Sequence, residues 1–121
     1  MSMIILTVDD SRTMREMLKA ALLGAGFRVT QAKDGQHGLE VLAQETPRVI
    51  VTDINMPRLD GFGFIEAVRR DARHAAIPIL VLTTESDTDK KMRARKAGAT
   101  GWIVKPFEPE KLIAAIRRVA A

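Results

Sequence analysis

Five residues scattered along nearly the whole chain carry the types needed for one piece of chemistry: Asp9, Asp10, Asp53, Thr83 and Lys105. Carboxylates gathered in one crevice repel one another, and each resists ionising unless a cation joins them. A divalent metal is therefore expected at Asp9, Asp10 and Asp53. The chain has no cysteine, and its two histidines, His37 and His74, stand in polar stretches and are expected at the surface rather than on a metal. Oxygen-only ligands favour Mg²⁺, held octahedrally at about 2.1 Å with several waters retained. Lys105 adds a second positive charge and Thr83 a hydroxyl donor. Together these groups make a pocket for a phosphoryl group, with Asp53 as the oxygen nucleophile. Singly, each has a plainer role: Asp53 closing a turn, Asp9-Asp10 favouring a helix entry, Lys105 in a solvated loop, Thr83-Thr84 as caps. The case rests on their convergence, which only a fold can supply.

The elements that must position them read clearly. Val49-Ile50-Val51-Thr52 is a β-branched run of the kind buried on both faces of a sheet, and it stops at the ionisable Asp53. Met3 to Val8 is a similar run ending in Asp9-Asp10. Phe27 to Ala32 is a more polar strand expected near an edge, Ile77 to Leu82 ends at Thr83-Thr84, and Gly101 to Val104 ends at Lys105-Pro106. Helical spacing fills the intervals. Ser11 caps the first helix, with Met14, Leu18, Ala21, Leu22 and Ala25 inward until Gly24-Ala25-Gly26. Asp34-Gly35 opens a second helix with Leu39 and Leu42, up to Pro47. Asp60 caps a third with Phe64, Ile65 and Val68, and a fourth runs from about Asp87 to Ala97 with Met92, Ala94 and Ala97 as its apolar complement. Pro109 starts the last, burying Leu112, Ile113, Ile116 and Val119. Alternating strands and helices with right-handed crossovers predict a doubly wound, five-stranded parallel α/β sheet with helices on both faces. In such a sheet ligands bind beyond the carboxyl ends of the strands, where all five residues fall.

Composition narrows the class. A chain of 121 residues with 46% hydrophobic content fills one core and leaves no room for a second. No apolar run approaches the roughly 20 residues that span a bilayer. The amino terminus runs into a strand without a basic region or cleavage site, so the cytoplasm is the expected location.

Asp9-Asp10, Asp53-Ile54-Asn55-Met56-Pro57, Thr83 and Gly101-Trp102-Ile103-Val104-Lys105-Pro106-Phe107 resemble the motifs of response-regulator receiver domains, over essentially all of residues 1–121. The nearest likeness is to CheY-type single-domain regulators of chemotaxis. The resemblance implies the flavodoxin-like strand order 2-1-3-4-5 and a receiver without an output domain, acting as a monomer through non-covalent binding. It implies that Asp53 accepts a phosphoryl group from the phosphohistidine of a histidine kinase or phosphotransfer protein, and that the protein is no separate enzyme but catalyses its own phosphorylation and dephosphorylation. Asp10 would bind Mg²⁺ directly and Asp9 mainly through water, with Asp53 and the backbone carbonyl of Asn55 completing the ligands. Lys105 would pair with a phosphoryl oxygen, Thr83 would move to bond another, and Trp102 stands where the family has its aromatic switch residue. Asn55 and Glu85 occupy positions that tune hydrolysis. The downstream target would be a protein such as a flagellar motor switch component, or the chain would serve another phosphorelay or act as a phosphate sink.

Three other classes fit less well. A haloacid-dehalogenase-type phosphatase would need a second Asp two residues after Asp53, where Asn55 stands. A flavodoxin-type carrier would need a phosphate loop after the first strand, where Asp9-Asp10 would repel it. A nucleic-acid-binding module is suggested by a pI of about 9.9 and by Lys90, Lys91, Arg93, Arg95 and Lys96, but the chain has one Trp, no Tyr and no recognisable binding motif. The basic cluster instead marks the family's output face of fourth helix, fifth strand and fifth helix, with Lys90, Lys91, Arg95 and Trp102 as its partner-binding residues and an acidic partner expected.

Overall fold

The computed structural model describes residues 2–121. Its elements run β1 (Ile4–Val8), α1 (Arg12–Gly24), β2 (Arg28–Ala32), α2 (Gly35–Leu42), β3 (Val49–Thr52), α3 (Gly61–Arg70), β4 (Ile79–Thr83), α4 (Thr88–Ala97), β5 (Gly101–Val104) and α5 (Pro109–Ala120). All strand pairs are parallel, in the order β2-β1-β3-β4-β5, as the resemblance implies. The polar second strand does lie at an edge.

Strand alternation sorts the core into two layers. Leu6, Val8, Ile50, Ile79 and Val81 pack with Phe64, Ile65 and Val68 of α3 and with Leu42 and Ala94 from α2 and α4. Ile5, Val49, Val51, Leu80 and Leu82 pack on the other face with Leu18 and Leu22 of α1 and Leu112 and Ile116 of α5. Each fully buried aliphatic side chain contributes about 1.5–3 kcal/mol, so the inner strands, lined on both faces, are the rigid part of the molecule. Ile113 and Val119 are only half-buried, at the margin of the second layer.

Helix ends follow local chemistry. Ser11, Asp34, Asp60 and Asp87 accept N–H bonds as N-caps of α1, α2, α3 and α4. α4 is the exception to good packing: Ala94 is its one buried residue, and Met92, expected inward, is 54% exposed. With basic residues at five of its ten positions, this helix has too narrow an apolar stripe to bury Met92 as well. Arg69 of α3 fastens its far end. The guanidinium donates to the carbonyls of Gly98 at 2.9 and 3.0 Å, Ile77 at 2.7 Å and Ala75 at 3.1 Å, and burial lowers its pKa. Gly98 has φ 119°, and a Cβ there would lie 2.6 Å from the Arg69 side chain.

Other expectations are corrected: α2 ends at Leu42 rather than running up to Pro47, and β1 and β2 begin at Ile4 and Arg28 rather than at Met3 and Phe27. β4 begins at Ile79 rather than Ile77, because Pro78 has no N–H to give the ladder. His74 is not a surface residue: it is buried at 3% exposure. Its turn folds back over the end of α3, with its N–H on the Asp71 carbonyl at 2.9 Å and its carbonyl accepting from Ile77 at 3.1 Å. Its ring Nδ1 lies 3.5 Å from Asp71 Oδ2, and the residue lines one cavity with Leu39, Leu42 and Val68, while its sequence neighbour Arg73 stays exposed.

Candidate functional site

The register builds the site. Val8 pairs with Thr52, so the next residues, Asp9 and Asp53, emerge side by side from adjacent strands. Asp53 N–H donates to the Val8 carbonyl at 2.9 Å, and Asp9 N–H to the Ala32 carbonyl at 3.1 Å. Both carboxylates are buried, while Asp10 is exposed at the rim. Ligand oxygens of Asp9, Asp10 and Asp53 lie within 4.8 Å of one another.

Lys105 arrives from β5. Its backbone N–H donates to the Thr83 carbonyl at 2.8 Å, aiming the chain across the end of β4, and the Lys105-Pro106 peptide is cis. The ammonium then lies 2.8 Å from Asp9 Oδ2 and 2.9 Å from Asp53 Oδ2, bridging the two carboxylates. Burial works against a charged Lys105, but its bonds to Asp9 and Asp53 outweigh burial and raise its pKa. Asp9 is different. Burial pushes its pKa up, and the bonds from Lys105 and from Ser11 N–H only partly oppose the shift. One ammonium thus leaves the buried carboxylates short of positive charge. That deficit, with Asp10 at the open side and only oxygen donors, fits a hard divalent cation.

Gly61 lets the loop after β3 close on the site. Its N–H donates to the Ile54 carbonyl at 2.8 Å, and a Cβ on it would lie 2.4 Å from the carbonyl oxygen of Asp53. In sequence, Asp60-Gly61 reads as a turn and a cap; the close approach that requires glycine is visible only in three dimensions.

The remaining candidates meet at Glu85. Thr83 is the last residue of β4 rather than beyond it, fully buried, and its hydroxyl accepts from Glu85 N–H at 3.3 Å. The Trp102 indole N–H donates to the Glu85 carbonyl at 3.1 Å. Glu85 Oε1 accepts from Asn55 Nδ2 at 3.0 Å and lies 3.0 Å from Lys90 Nζ. Asn55 and Lys90 lower the Glu85 pKa through these bonds. Lys91 and Arg95 project from α4 and line, with Met92 and Trp102, a groove of about 440 Å³ between α4 and β5.

The site thus joins a strand-end carboxylate pair bridged by lysine to an acidic rim and a buried threonine on the neighbouring strand. The response regulator receiver domain family matches residues 5–117. The chain belongs to that family. It is 37% identical over 116 residues to a probable chemotaxis protein CheY of Rhizobium etli, covering 95% of this chain and 90% of that one. It is 38% identical over 115 residues to a probable transcriptional regulator, ycf27, of Guillardia theta, spanning 95% of this chain but 44% of that longer protein. Among solved structures, the chemotaxis response regulator CheY4 of Vibrio cholerae superposes with a TM-score of 0.93 at 42% identity, covering 98% of this chain and 99% of that one. This receiver is CheY-like in fold. Among its described residues, no helix is long and apolar enough to cross a membrane.

Proposed function

We propose that this receiver is the phosphoacceptor of a cytoplasmic two-component pathway, taking a phosphoryl group on Asp53 from a phosphohistidine and signalling by phosphorylation-dependent protein binding, in chemotaxis and motor control. The observation that carries the reading is the Lys105 ammonium shared between Asp9 and Asp53 at 2.8 and 2.9 Å. A buried carboxylate at a strand end, held beside a fixed positive charge, is a nucleophile with its counter-charge already in place. The likeness to CheY proteins over nearly their whole length supports the chemotaxis assignment.

In the transfer, an oxygen of Asp53 forms a bond to phosphorus as the phosphorus–nitrogen bond of the donor histidine breaks, and the imidazole leaves with a proton. Lys105 exchanges its Asp53 contact for an oxygen of the arriving phosphoryl group. Thr83 gives up its bond with Glu85 N–H to donate to another. Asp9, Asp10, Asp53 and the Asn55 carbonyl would hold Mg²⁺, whose charge, when bound, offsets that of the phosphoryl oxygens. In the return reaction, Asn55 and Glu85 orient the attacking water. The protein thereby catalyses both its own phosphorylation and its own dephosphorylation. Its partners are a histidine kinase or phosphotransfer protein upstream and an acidic protein segment downstream, steered to Lys90, Lys91 and Arg95.

Incubation with acetyl phosphate and Mg²⁺, followed by reductive trapping of the acyl phosphate, should label Asp53. Label persisting at full level in Asp53→Asn would remove the assignment.

A further inference from the structure

The mouth of the phosphoacceptor site and the output helix are joined by one short polar chain: Asn55 Nδ2 to Glu85 Oε1 at 3.0 Å, and Glu85 Oε1 to Lys90 Nζ at 3.0 Å. Both donors converge on a single carboxylate oxygen. Lys90 belongs to the first turn of α4, five residues beyond Glu85, and its N–H donates to the Asp87 side chain, the N-cap at which the chain turns into the helix. In the unphosphorylated chain the Glu85 backbone is held as well, its N–H on the Thr83 hydroxyl and its carbonyl on the Trp102 indole, and the indole bond is the one that remains once Thr83 turns to the phosphoryl group. The backbone bonds place the residue, but they leave the carboxylate free to rotate. Asn55 and Lys90 set its direction.

We infer that Lys90 is a positioning residue for dephosphorylation: it holds the Glu85 carboxylate against Asn55, so that the pair aligns the water that attacks the acyl phosphate. The inference rests on Asp53 being the phosphoacceptor. In the step, the water oxygen bonds to phosphorus while the bond between phosphorus and the Asp53 oxygen breaks. Asp53 is left as its carboxylate, and both protons of the water depart with the phosphate as H₂PO₄⁻. Glu85 Oε1 is occupied by its two donors, which directs Oε2 as the acceptor available to that water. Without Lys90 the carboxylate samples more rotamers and the aligned arrangement is less populated. An acidic group that draws Lys90 away from Glu85 therefore slows the decay of the phosphorylated state.

The test is the first-order decay of radiolabelled phosphoryl-protein, prepared with labelled acetyl phosphate and Mg²⁺ and freed of donor, in the full chain. Lys90→Met should decay more slowly, by about two- to fivefold, which is what an exposed ion pair can hold in place. Lys90→Arg should restore the wild-type rate, and Lys96→Met, which removes a charge from the same helix without touching Glu85, should leave it unchanged. In a Glu85→Ala background, Lys90→Met should have no further effect. Labelled protein whose decay is the same or faster in Lys90→Met, or equally slowed in Lys96→Met, overturns the role of Lys90 alone. Wild-type protein that takes no label at Asp53 overturns the phosphoacceptor reading itself, and this inference with it.

Discussion

The guanidinium carbon of Arg93 lies 4.0 Å from the centroid of the Phe62 ring, so the first turn of α3 carries a helix that buries one side chain of its own. A cation over an aromatic face contributes roughly 0.5–1 kcal/mol at exposed sites and about 2 when desolvated. For α4, otherwise held by the buried Ala94, the Lys90–Glu85 pair and Arg69 at its carboxyl end, that is a substantial share of the attachment.

Arg93→Ala should therefore lower global stability in urea by about 0.5–1 kcal/mol. It should raise amide exchange in α4 well beyond that in β1, β3 or β4. Exchange that rises uniformly across the sheet would show that Arg93 does not anchor this helix locally.

The Asp9 shift gives a pH dependence whose sign can be worked out. Its folded pKa lies above the ordinary value of 3.8, with burial as the leading cause. The stability this contributes is fully present below the unfolded pKa and is lost as pH rises through the folded pKa. Ionised Asp9 is thus a cost at neutral pH, and a bound divalent cation relieves it. Mg²⁺ should raise the melting temperature more at pH 7 than at pH 4, with about 2–3 kcal/mol of stabilisation at a hundredfold excess over its dissociation constant. Asp9→Asn should flatten this difference. Equal stabilisation at the two pH values would show that the cation does not engage these carboxylates.

Gly61→Ala places a methyl group 2.4 Å from the Asp53 carbonyl oxygen and 2.7 Å from Ile54 Cα. Neither is the tip of a flexible side chain, so backbone must move. The expected cost is about 1–3 kcal/mol of stability, with a loss of phosphoryl uptake out of proportion to it, because the displaced peptide is that of the proposed nucleophile. A variant that is destabilised yet takes up phosphate at the wild-type rate would separate Gly61 from site geometry.

Much of this site was legible beforehand, for a physical reason. A strand buried on both faces must be apolar, so Asp53 after Val49-Ile50-Val51-Thr52 marks where the sheet ends, and parallel topology brings the other strand ends to the same edge. Contacts made across loops left no such trace. Glu85 and Lys90 are neither helical nor strand neighbours, and their meeting depends on the turn at Asp87. His74 sits among charged residues in sequence and is buried only because its turn folds over α2 and α3. Arg69 reads as one more surface cation at the end of an amphipathic helix, whereas its guanidinium bonds three carbonyl-bearing residues from other segments. Periodicity sees which face a residue takes; it does not see which loop will close over that face.

Trp102 provides the last prediction, since it is the one tryptophan of the chain and reports on itself. Its indole N–H is held by the Glu85 carbonyl, and the Glu85 N–H is held by the Thr83 hydroxyl, so ring and threonine are linked through one residue. On the proposed function, phosphorylation adds negative charge beside Lys105 and is expected to draw the Thr83 hydroxyl away from Glu85. The segment around Glu85 then loses one of its two backbone restraints, and the indole environment changes with it. Beryllofluoride with Mg²⁺ should shift the emission of Trp102, and Thr83→Ala, which has no hydroxyl to withdraw, should greatly reduce the shift while still binding the anion. Trp102→Phe keeps a ring but no donor, and it should weaken the coupling of phosphorylation to partner binding without preventing phosphoryl uptake. An emission change of equal size in wild type and Thr83→Ala would mean that the indole responds to the phosphoryl group by another route, and Thr83 would lose its place in the switch.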